Sequence, residues 1–336
     1  MKNKQVVVIT GASAGVGRAT AQAFARDGAS VALLARDNAA LEGAAAEVRQ
    51  LGGHALAIGV DVSDAEQVEA AASRIENELG PIDVWINAAM ATVFAPVHDI
   101  PAAEFRRATE VTYLGAVHGT MAALKRMRER NRGTIVQVGS ALAYRAVPLQ
   151  AAYCGAKFAI RGFTDALRVE LMHEKSAIHV TMVQLSAFNT PQFEWARTHL
   201  AKRPQPVPPI YQPEVAARGI HWAARHRRRE LCVGFPAVKA IYGNKLAPWL
   251  ADRVLAKSAY QSQKGERDIP DDRPDNLQHA VQADYGTHGR FDSRSRRYSV
   301  QLWADTHRGI VAAAAGVVAV AAACGVVRHG RRRRGN

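Results

Sequence analysis

The sequence is poor in cysteine and has no segment typical of a secretory leader. Its three cysteines, Cys154, Cys232 and Cys324, lie far apart and are not spaced as ligands of a zinc ion. This argues against a disulfide framework or a metal site and is typical of the reducing cytosol. Residues 1–5 lead directly into the apolar run Val6–Ile9, which is too short for the apolar part of a cleavable signal. We therefore predict a cytoplasmic protein without a metal site.

Positive charge is concentrated near the C-terminus. The chain has a formal net charge of +14, and residues 290–336 hold ten Arg or Lys and two Asp, a local net charge of +8. A basic tail suits an anionic lipid surface or a nucleic acid. The rest of the chain needs no polyanionic partner to explain its charge, and we predict no nucleic-acid partner.

Short apolar runs alternate with helical patterns up to about residue 185. Most of these runs are continuously apolar rather than alternating, as in strands that are covered on both faces. Strands that alternate with helices predict an α/β fold, a doubly wound parallel sheet with helices on both faces. The predicted strands are Val6–Thr10, Val31–Ala35, Ala55–Val62, Val84–Ala88, Thr134–Ser140, His179–Leu185 and, last, Glu230–Gly234. The predicted helices include 38–51, 64–79 and 213–228.

The composition of the chain changes beyond the region of alternating strands and helices. We assign residues 1–262 to the sheet domain, within which 188–213 forms a flap that ends in a proline-rich extended loop. Residues 263–308 are rich in Asp, Arg, Gly and Gln and are predicted to be a poorly ordered linker. Residues 309–336 combine an uncharged, alanine-rich stretch of 19 residues, Gly309–Val327, with a basic tail.

The uncharged stretch leaves several roles open. As a helix it would be about 28 Å long, near the thickness of the hydrocarbon core of a membrane. A spanning helix would carry Arg328 and Arg331–Arg334 away from the cytosol, against the positive-inside tendency. The alternatives are a helix that lies on anionic headgroups and a helix used for oligomerisation. We predict membrane contact through residues 309–336 by some route.

A glycine-rich turn, TGASAGVG at residues 10–17, joins the first predicted strand to a helix that begins near Arg18. Glycines permit a tight turn and the close approach of a pyrophosphate, whose charge is met by the helix N-terminus. The spacing is G-x-x-x-G-x-G, and such a turn alone can also be a plain connection. Its place at the first strand–helix junction favours a dinucleotide. The predicted contacts in the turn are Gly11, Ser13, Gly15, Val16 and Gly17.

Arg36 ends the second predicted strand, where a side chain normally recognises the ribose of the adenosine. An acidic residue there would bind the 2′-hydroxyl of NAD, whereas an arginine can pair with the 2′-phosphate of NADP. The alternative is a solvated arginine that Asp37 partly neutralises. We predict NADP(H) as the preferred coenzyme and NAD(H) as the alternative.

Tyr153 and Lys157 are four residues apart in a predicted helix, so their side chains share one face. Ser140 closes the fifth predicted strand, whose carboxyl end faces the ligand crevice of such a sheet. The pKa of tyrosine, ~10, is too high for a base at neutral pH. A neighbouring ammonium and a positive nicotinamide ring would lower that pKa, and the serine hydroxyl would bind the substrate oxygen. Together these residues predict hydride transfer, with Tyr153 as general acid/base.

These motifs together resemble the short-chain dehydrogenase/reductase family over residues 4 to about 235. The matching motifs are TGASAGVG (10–17), Asp61-Val62, Asn87-Ala88-Ala89, Ser140 and Tyr153-Cys154-Gly155-Ala156-Lys157. The resemblance implies a Rossmann-like fold, action on CH–OH groups with NAD(P), and a homo-oligomer. It implies that Asp61 and Val62 contact adenine. It also implies that Asn87 and the following Ala88 lie beside the cofactor, that Lys157 holds the nicotinamide ribose, and that Thr190 binds the carboxamide.

Three positions depart from the pattern of the family. Where the family has an asparagine that holds a water of the proton relay, this chain has Thr112, whose hydroxyl still donates and accepts. Met90 follows Asn87-Ala88-Ala89 in place of a glycine and would narrow the nearby pocket. Ser186-Ala187 replace the Pro-Gly expected after the sixth strand.

The flap contains Phe188, Phe193 and Trp195, which predict an apolar substrate pocket, although plain packing is an equal alternative for Trp195. The leading prediction is an NADP(H)-dependent oxidoreductase of a small carbonyl or alcohol. One alternative is a catalytically weak or inactive NADP-binding regulatory or scaffold protein tethered to the membrane, which Thr112 and Met90 would support. Another is a protein whose tail is its main functional element.

Overall fold

A seven-stranded sheet forms the centre of the computed structural model, which describes residues 4–36, 38–270, 272–314 and 316. Its strands are β1 (Val6–Thr10), β2 (Ser30–Ala35), β3 (His54–Gly59), β4 (Val84–Asn87), β5 (Thr134–Ser140), β6 (His179–Leu185) and β7 (Glu230–Val233). Their spatial order is β7-β6-β5-β4-β1-β2-β3, and every neighbouring pair is parallel. The predicted doubly wound α/β fold is confirmed.

The central strands are buried, and most of their residues are apolar. Every residue of β1 and of β2 is buried, as expected where helices cover both faces of a sheet. The edge strand β3 ends at Gly59 rather than at the predicted Val62. The side chain of Asp61 accepts a hydrogen bond from the Ser63 N–H at 3.0 Å, and this turn ends the extended segment.

Helices cover the sheet, and one of them begins at a side-chain cap. The first, α1 (Gly15–Ala25), starts inside the glycine turn, three residues before the predicted start. In α3 (Ala65–Leu79) the carboxylate of Asp64 caps the first turn by accepting from the Glu66 and Gln67 N–H groups. The others are α2 (Asn38–Gln50), α4 (Ala102–Thr109), α5 (Gly115–Arg130), α6 (Ala151–His173), α7 (Gln192–Trp195), α8 (Pro213–Ala223), α9 (Phe235–Leu246), α10 (Pro248–Ser262) and α11 (Val300–Thr306).

Residues 263–299, named the C-terminal extension below, are not the poorly ordered linker that composition predicts. They belong to the same compact unit as the sheet domain. Leu277 is fully buried and Phe291 is 5% exposed. The prediction was wrong because it weighed the low apolar content of the segment as a whole, whereas Leu277 and Phe291 are buried and polar groups of the segment pair with the domain.

Short strands join the extension to the flap. Lys264–Asp268 pairs antiparallel with Lys202–Pro204. Ile210–Tyr211 pairs in parallel with both Ala187–Phe188 and Ser295–Arg296. A fourth pairing joins Val93–Phe94 to Arg197–Thr198. The flap is therefore held by the sheet domain on one side and by the extension on the other.

Residues from Val300 onwards form a second unit, described over 300–314 and 316, which contains α11. Across the described part of the chain, no helix is both long and apolar enough to cross a membrane. Most of Gly309–Val327, and the whole basic tail after it, lie outside the described residues. Membrane contact through 309–336 and self-association remain predictions from sequence.

Candidate active site

One cavity of about 470 Å³ brings together most of the residues predicted from sequence. This volume lies in the ordinary range for small-molecule sites. The cavity is lined by Gly11, Ser13, Gly15, Val16, Gly17, Arg36, Asp61, Val62, Ala88, Ser140, Tyr153, Lys157 and Thr190. Two further predicted residues, Asn87 and Thr112, are not among the lining residues.

The glycine turn requires glycine for two separate reasons. Gly11 and Gly15 have φ angles of +69° and +56°, which L side chains rarely adopt. A Cβ at Gly11 would lie 2.8 Å from the Ala89 Cα, and one at Gly17 would lie 2.1 Å from the Gly11 carbonyl oxygen. The backbone therefore packs closely on itself, and the turn at the N-terminus of α1 lines the cavity, where an anion is favoured.

Helix α6 carries Tyr153 and Lys157, one turn apart. The Lys157 ammonium donates to the Val138 carbonyl at 2.6 Å and lies 5.5 Å from the centre of the Tyr153 ring. Burial lowers the pKa of Lys157 to about 8. Burial raises the pKa of Tyr153 to about 12, although a hydrogen bond with Ser140 works against this rise.

The sequence-based expectation for the Tyr153 pKa was wrong for the protein alone. We expected the neighbouring ammonium to lower it, but Lys157 is directed to a carbonyl and desolvation of the phenolate is the larger effect. A positive nicotinamide ring remains the group that would favour phenolate. Burial therefore keeps Tyr153 protonated at physiological pH in the protein alone.

Ser140 ends β5 and holds a defined orientation. Its hydroxyl oxygen accepts from the Leu142 N–H at 3.1 Å, and the residue is 5% exposed. This bond fixes the oxygen at the carboxyl end of the sheet, beside Tyr153. Both residues line the cavity, and each carries a hydroxyl group.

Thr112 lies in a π-helical turn, Glu110–Leu114, between α4 and α5. Its hydroxyl donates to the Ala91 carbonyl at 2.8 Å and accepts from the Ala91 N–H at 2.9 Å. The residue is fully buried. The contacts show that Thr112 fixes the segment after β4, and its predicted part in a proton relay stays a prediction.

Asn87 belongs to a buried polar network behind the cavity. Its Oδ1 accepts from Trp85 Nε1 at 2.9 Å. Its amide nitrogen donates to Thr120 Oγ1 at 3.0 Å and to Gln137 Oε1 at 3.1 Å. These bonds connect β4 with α5 and β5, and the position of Asn87 beside the cofactor stays a prediction.

Arg36 lines the cavity, but its guanidinium also contacts the C-terminal extension. It donates to the carbonyls of Asn276, Leu277 and Gln278, at 3.2 Å for the latter two. Arg107 donates to the same Leu277 carbonyl at 3.2 Å and pairs with Asp61. Because these partners are backbone atoms of a distant segment, the sequence could not indicate them.

The contacts of Arg18, directly after the glycine turn, were not predicted from the sequence. Arg18 is 3% exposed and donates to Glu47 Oε1 at 2.8 Å and to Asp284 Oδ2 at 3.1 Å. Next to it, the Gly15 N–H donates to the Gly286 carbonyl at 3.2 Å. The available signal was an arginine directly after the glycine turn on a helix that is otherwise rich in small and apolar residues.

The substrate side of the cavity is apolar. Phe188, Phe193 and Trp195 of the flap all line it, as predicted from sequence. Trp195 also packs edge-on against Tyr285, with ring centres 4.8 Å apart. Helices α9 and α10 close this end with side chains that sequence reasoning did not include, among them Pro236, Ala237, Ala240, Leu255 and Ala259.

Comparisons with known proteins agree with this geometry. A family model described as short chain dehydrogenase matches residues 5–200. The chain is 35% identical over 327 residues to a Bacillus subtilis (strain 168) protein named uncharacterized oxidoreductase YxnA, across 95% of this chain and 90% of that protein.

Two solved structures are similar as well. An alcohol dehydrogenase from the archaeon Thermococcus sibiricus, complexed with 5-hydroxy-NADP, has a TM-score of 0.59 and 26% identity, over 68% of this chain and 96% of that one. A short-chain dehydrogenase from Streptomyces avermitilis has a TM-score of 0.65 and 25% identity, over 78% of this chain and 100% of that one.

Proposed function

The chain belongs to the short-chain dehydrogenase family, and from that premise we propose an NADP(H)-dependent oxidoreductase that interconverts a carbonyl compound and its alcohol. Family membership makes the protein a dehydrogenase or reductase that acts with NAD(P). The observation that carries the finer proposal is that Ser140, Tyr153 and Lys157 line the same cavity as the glycine turn. This combination supports an acid–base group beside a dinucleotide site.

The cavity fits the coenzyme that the family implies. The turn has no room for a Cβ at Gly11 or Gly17, so the backbone alone forms the cradle for a pyrophosphate. Asp61 and Val62 would hold the adenine, Lys157 the nicotinamide ribose and Thr190 the carboxamide. When bound, the reduced coenzyme supplies the hydride.

Side chains of the protein donate and accept the proton of the reaction. In reduction, a hydride reaches the carbonyl carbon while Tyr153 donates its proton to the carbonyl oxygen, and the product is the neutral alcohol. Ser140 donates a hydrogen bond to the same oxygen as negative charge develops on it. The Lys157 ammonium, 5.5 Å from the centre of the ring, would add a weaker stabilisation of the phenolate left on Tyr153 than the positive ring of the oxidised coenzyme. In oxidation the proton and hydride travel in the opposite directions.

Two features support the preference for NADP(H) and the apolar substrate. Arg36 lines the cavity at the end of β2, and a 2′-phosphate there would form charge-assisted hydrogen bonds that are stronger than those to carbonyls. The aromatic residues Phe188, Phe193 and Trp195 favour a small apolar substrate.

A panel of ketones and the matching alcohols, assayed with NADPH and with NADH, tests the proposal. We expect turnover of apolar ketones with a higher kcat/KM for NADPH than for NADH. Coenzyme binding without turnover of any compound would contradict the proposal and would favour a regulatory or scaffold role.

A further inference from the structure

We infer that the C-terminal extension is the outer wall of the coenzyme site, and that Leu277, Asp284 and Gly289 position this wall and slow the exchange of coenzyme. The inference rests on the proposed function for the identity of the coenzyme. Three groups of contacts along the cavity carry it, one for each part of a dinucleotide.

The first group lies at the adenosine end. Asn276, Ala280 and Val281 of the extension line the same cavity as Arg36 and Asp61. The guanidiniums of Arg36 and Arg107 both donate to the Leu277 carbonyl.

The Leu277 side chain is fully buried in an apolar cluster that also contains Val60 and Val62. In a doubly wound sheet, adenosine lies beyond the ends of these strands. The extension therefore crosses the outside of the adenosine site.

The second group lies at the pyrophosphate position. Asp284 pairs with Arg18, directly after the glycine turn, and its Oδ1 accepts from the Gly286 N–H at 2.9 Å. Within the turn itself, the Gly15 N–H donates to the Gly286 carbonyl at 3.2 Å. A single turn of the extension is thus fastened to the start of α1, where a pyrophosphate would lie.

The third group lies at the nicotinamide end. Gly289 approaches the chain so closely that a Cβ there would be 2.5 Å from the Thr190 carbonyl oxygen. Its N–H donates to the Asn189 carbonyl at 3.2 Å, and the Asn189 side chain in turn accepts from the Phe291 N–H at 3.0 Å. Glycine is required here because any side chain would clash with the Thr190 backbone, and not because of its φ angle.

The two sides of the extension differ. Asn276, Val281 and Tyr285 line the cavity, whereas Gln278, Gln282 and Asp284 are exposed to solvent. A dinucleotide under this segment would be covered along its whole length. Its entry and release would require the contacts at Arg36, Arg18 and Thr190 to open, in the way that loop opening limits release in many enzymes.

The experiment measures coenzyme exchange in the full chain. Asp284→Ala removes the contact with Arg18, which keeps Glu47 as a partner, and Gly289→Ala pushes the extension away from Thr190. The control, Glu78→Gln, disrupts an exposed ion pair with Arg74 on α3. Dissociation rate constants and Kd for NADPH and NADH are measured by stopped-flow displacement and fluorescence titration, and thermal unfolding verifies that each variant is folded.

We expect Asp284→Ala and Gly289→Ala to raise the dissociation rate constant and the Kd of both coenzymes by about tenfold, equivalent to ~1.4 kcal/mol. Glu78→Gln should behave as the wild type. Unchanged dissociation rates in both folded variants would overturn the inference. Tighter coenzyme binding would also overturn it, because the extension would then compete with coenzyme instead of enclosing it.

The readout is independent of turnover. If the variants release coenzyme faster but the wild type reduces no ketone, the proposed function fails and the wall stands. If ketones are reduced and the release rates do not change, the wall fails and the proposed function stands.

Discussion

Arg18 and Asp284 are 266 positions apart in the sequence and are joined at 3.1 Å between Arg18 Nη2 and Asp284 Oδ2. The same guanidinium donates to Glu47 of α2 at 2.8 Å, and the Arg18 side chain is only 4% exposed. One buried cation therefore connects the first helix, the second helix and the C-terminal extension. The end of the compact unit is tied to the turn that begins its coenzyme site.

Replacing Arg18 with methionine should lower the free energy of unfolding by about 2 kcal/mol, because several charge-assisted hydrogen bonds are lost together. Arg74→Met is the control, since Arg74 pairs with Glu78 on an exposed face of α3. Such exposed pairs contribute roughly 0.5 kcal/mol or less. Urea unfolding measures both variants. Equal losses in the two would contradict a special role for Arg18.

Loss of the positive charge on Lys157 should lower the rate of reduction at high pH. Burial lowers its pKa to about 8, so it is charged below that pH and neutral above it. Tyr153, with its pKa raised to about 12, keeps its proton over the same range. We therefore expect kcat/KM for ketone reduction with NADPH to be level below pH 8 and to fall above it.

Lys157→Arg provides the control for this profile, because a guanidinium stays charged throughout. The variant should be slower, but its profile should lose the fall above pH 8. A fall at the same pH in both proteins would assign it to another group.

The variant Arg36→Leu distinguishes recognition of the coenzyme 2′-phosphate from anchoring of the C-terminal extension. If Arg36 binds a 2′-phosphate, KM for NADPH should rise about tenfold more than KM for NADH, as for the loss of a charge-assisted contact worth ~1.4 kcal/mol. If Arg36 serves only to hold the carbonyls of Asn276–Gln278, both KM values should rise equally. The ratio of the two KM values, measured for variant and wild type, decides between these roles.

Thr112→Val keeps the shape of the side chain and removes its hydroxyl. Both polar groups of Ala91 then lose their partner, and we expect the free energy of unfolding to fall by about 1–3 kcal/mol. Thr112→Ser retains the hydroxyl and should recover most of this loss in urea unfolding. A kcat for folded Thr112→Val equal to that of the wild type would argue against a part in the proton relay.

The sheet was predictable because its signal is local. β1 is a nearly continuous apolar run, β5 contains the apolar residues Ile135, Val136 and Val138, and the bounds predicted for both agree with the structure. The cavity was predictable for a related reason. Ser140 ends a strand, the glycine turn follows another, and the carboxyl ends of parallel strands meet at one edge of the sheet.

The C-terminal extension was not predictable, because its contacts are neither local nor made mainly by apolar side chains. The carbonyls of Asn276–Gln278 are backbone atoms, common to every residue type. Leu277 is one of few apolar residues in a polar segment, and from the sequence Asp284 cannot be distinguished from any surface carboxylate, because its partner Arg18 lies far away in the chain. The pKa of Tyr153 was missed for another reason, since it depends on the degree of burial, which sequence spacing does not give.

The central claim is that Tyr153 donates the proton that accompanies hydride transfer. Its most direct test is a single-turnover measurement, in which enzyme saturated with NADPH is mixed with an accepted ketone and the loss of NADPH absorbance is followed. Tyr153→Phe preserves the ring beside Lys157 and removes the acidic hydroxyl. We expect the rate constant to fall by about 10²–10⁴-fold while NADPH still binds. A single-turnover rate equal to that of the wild type would contradict the account.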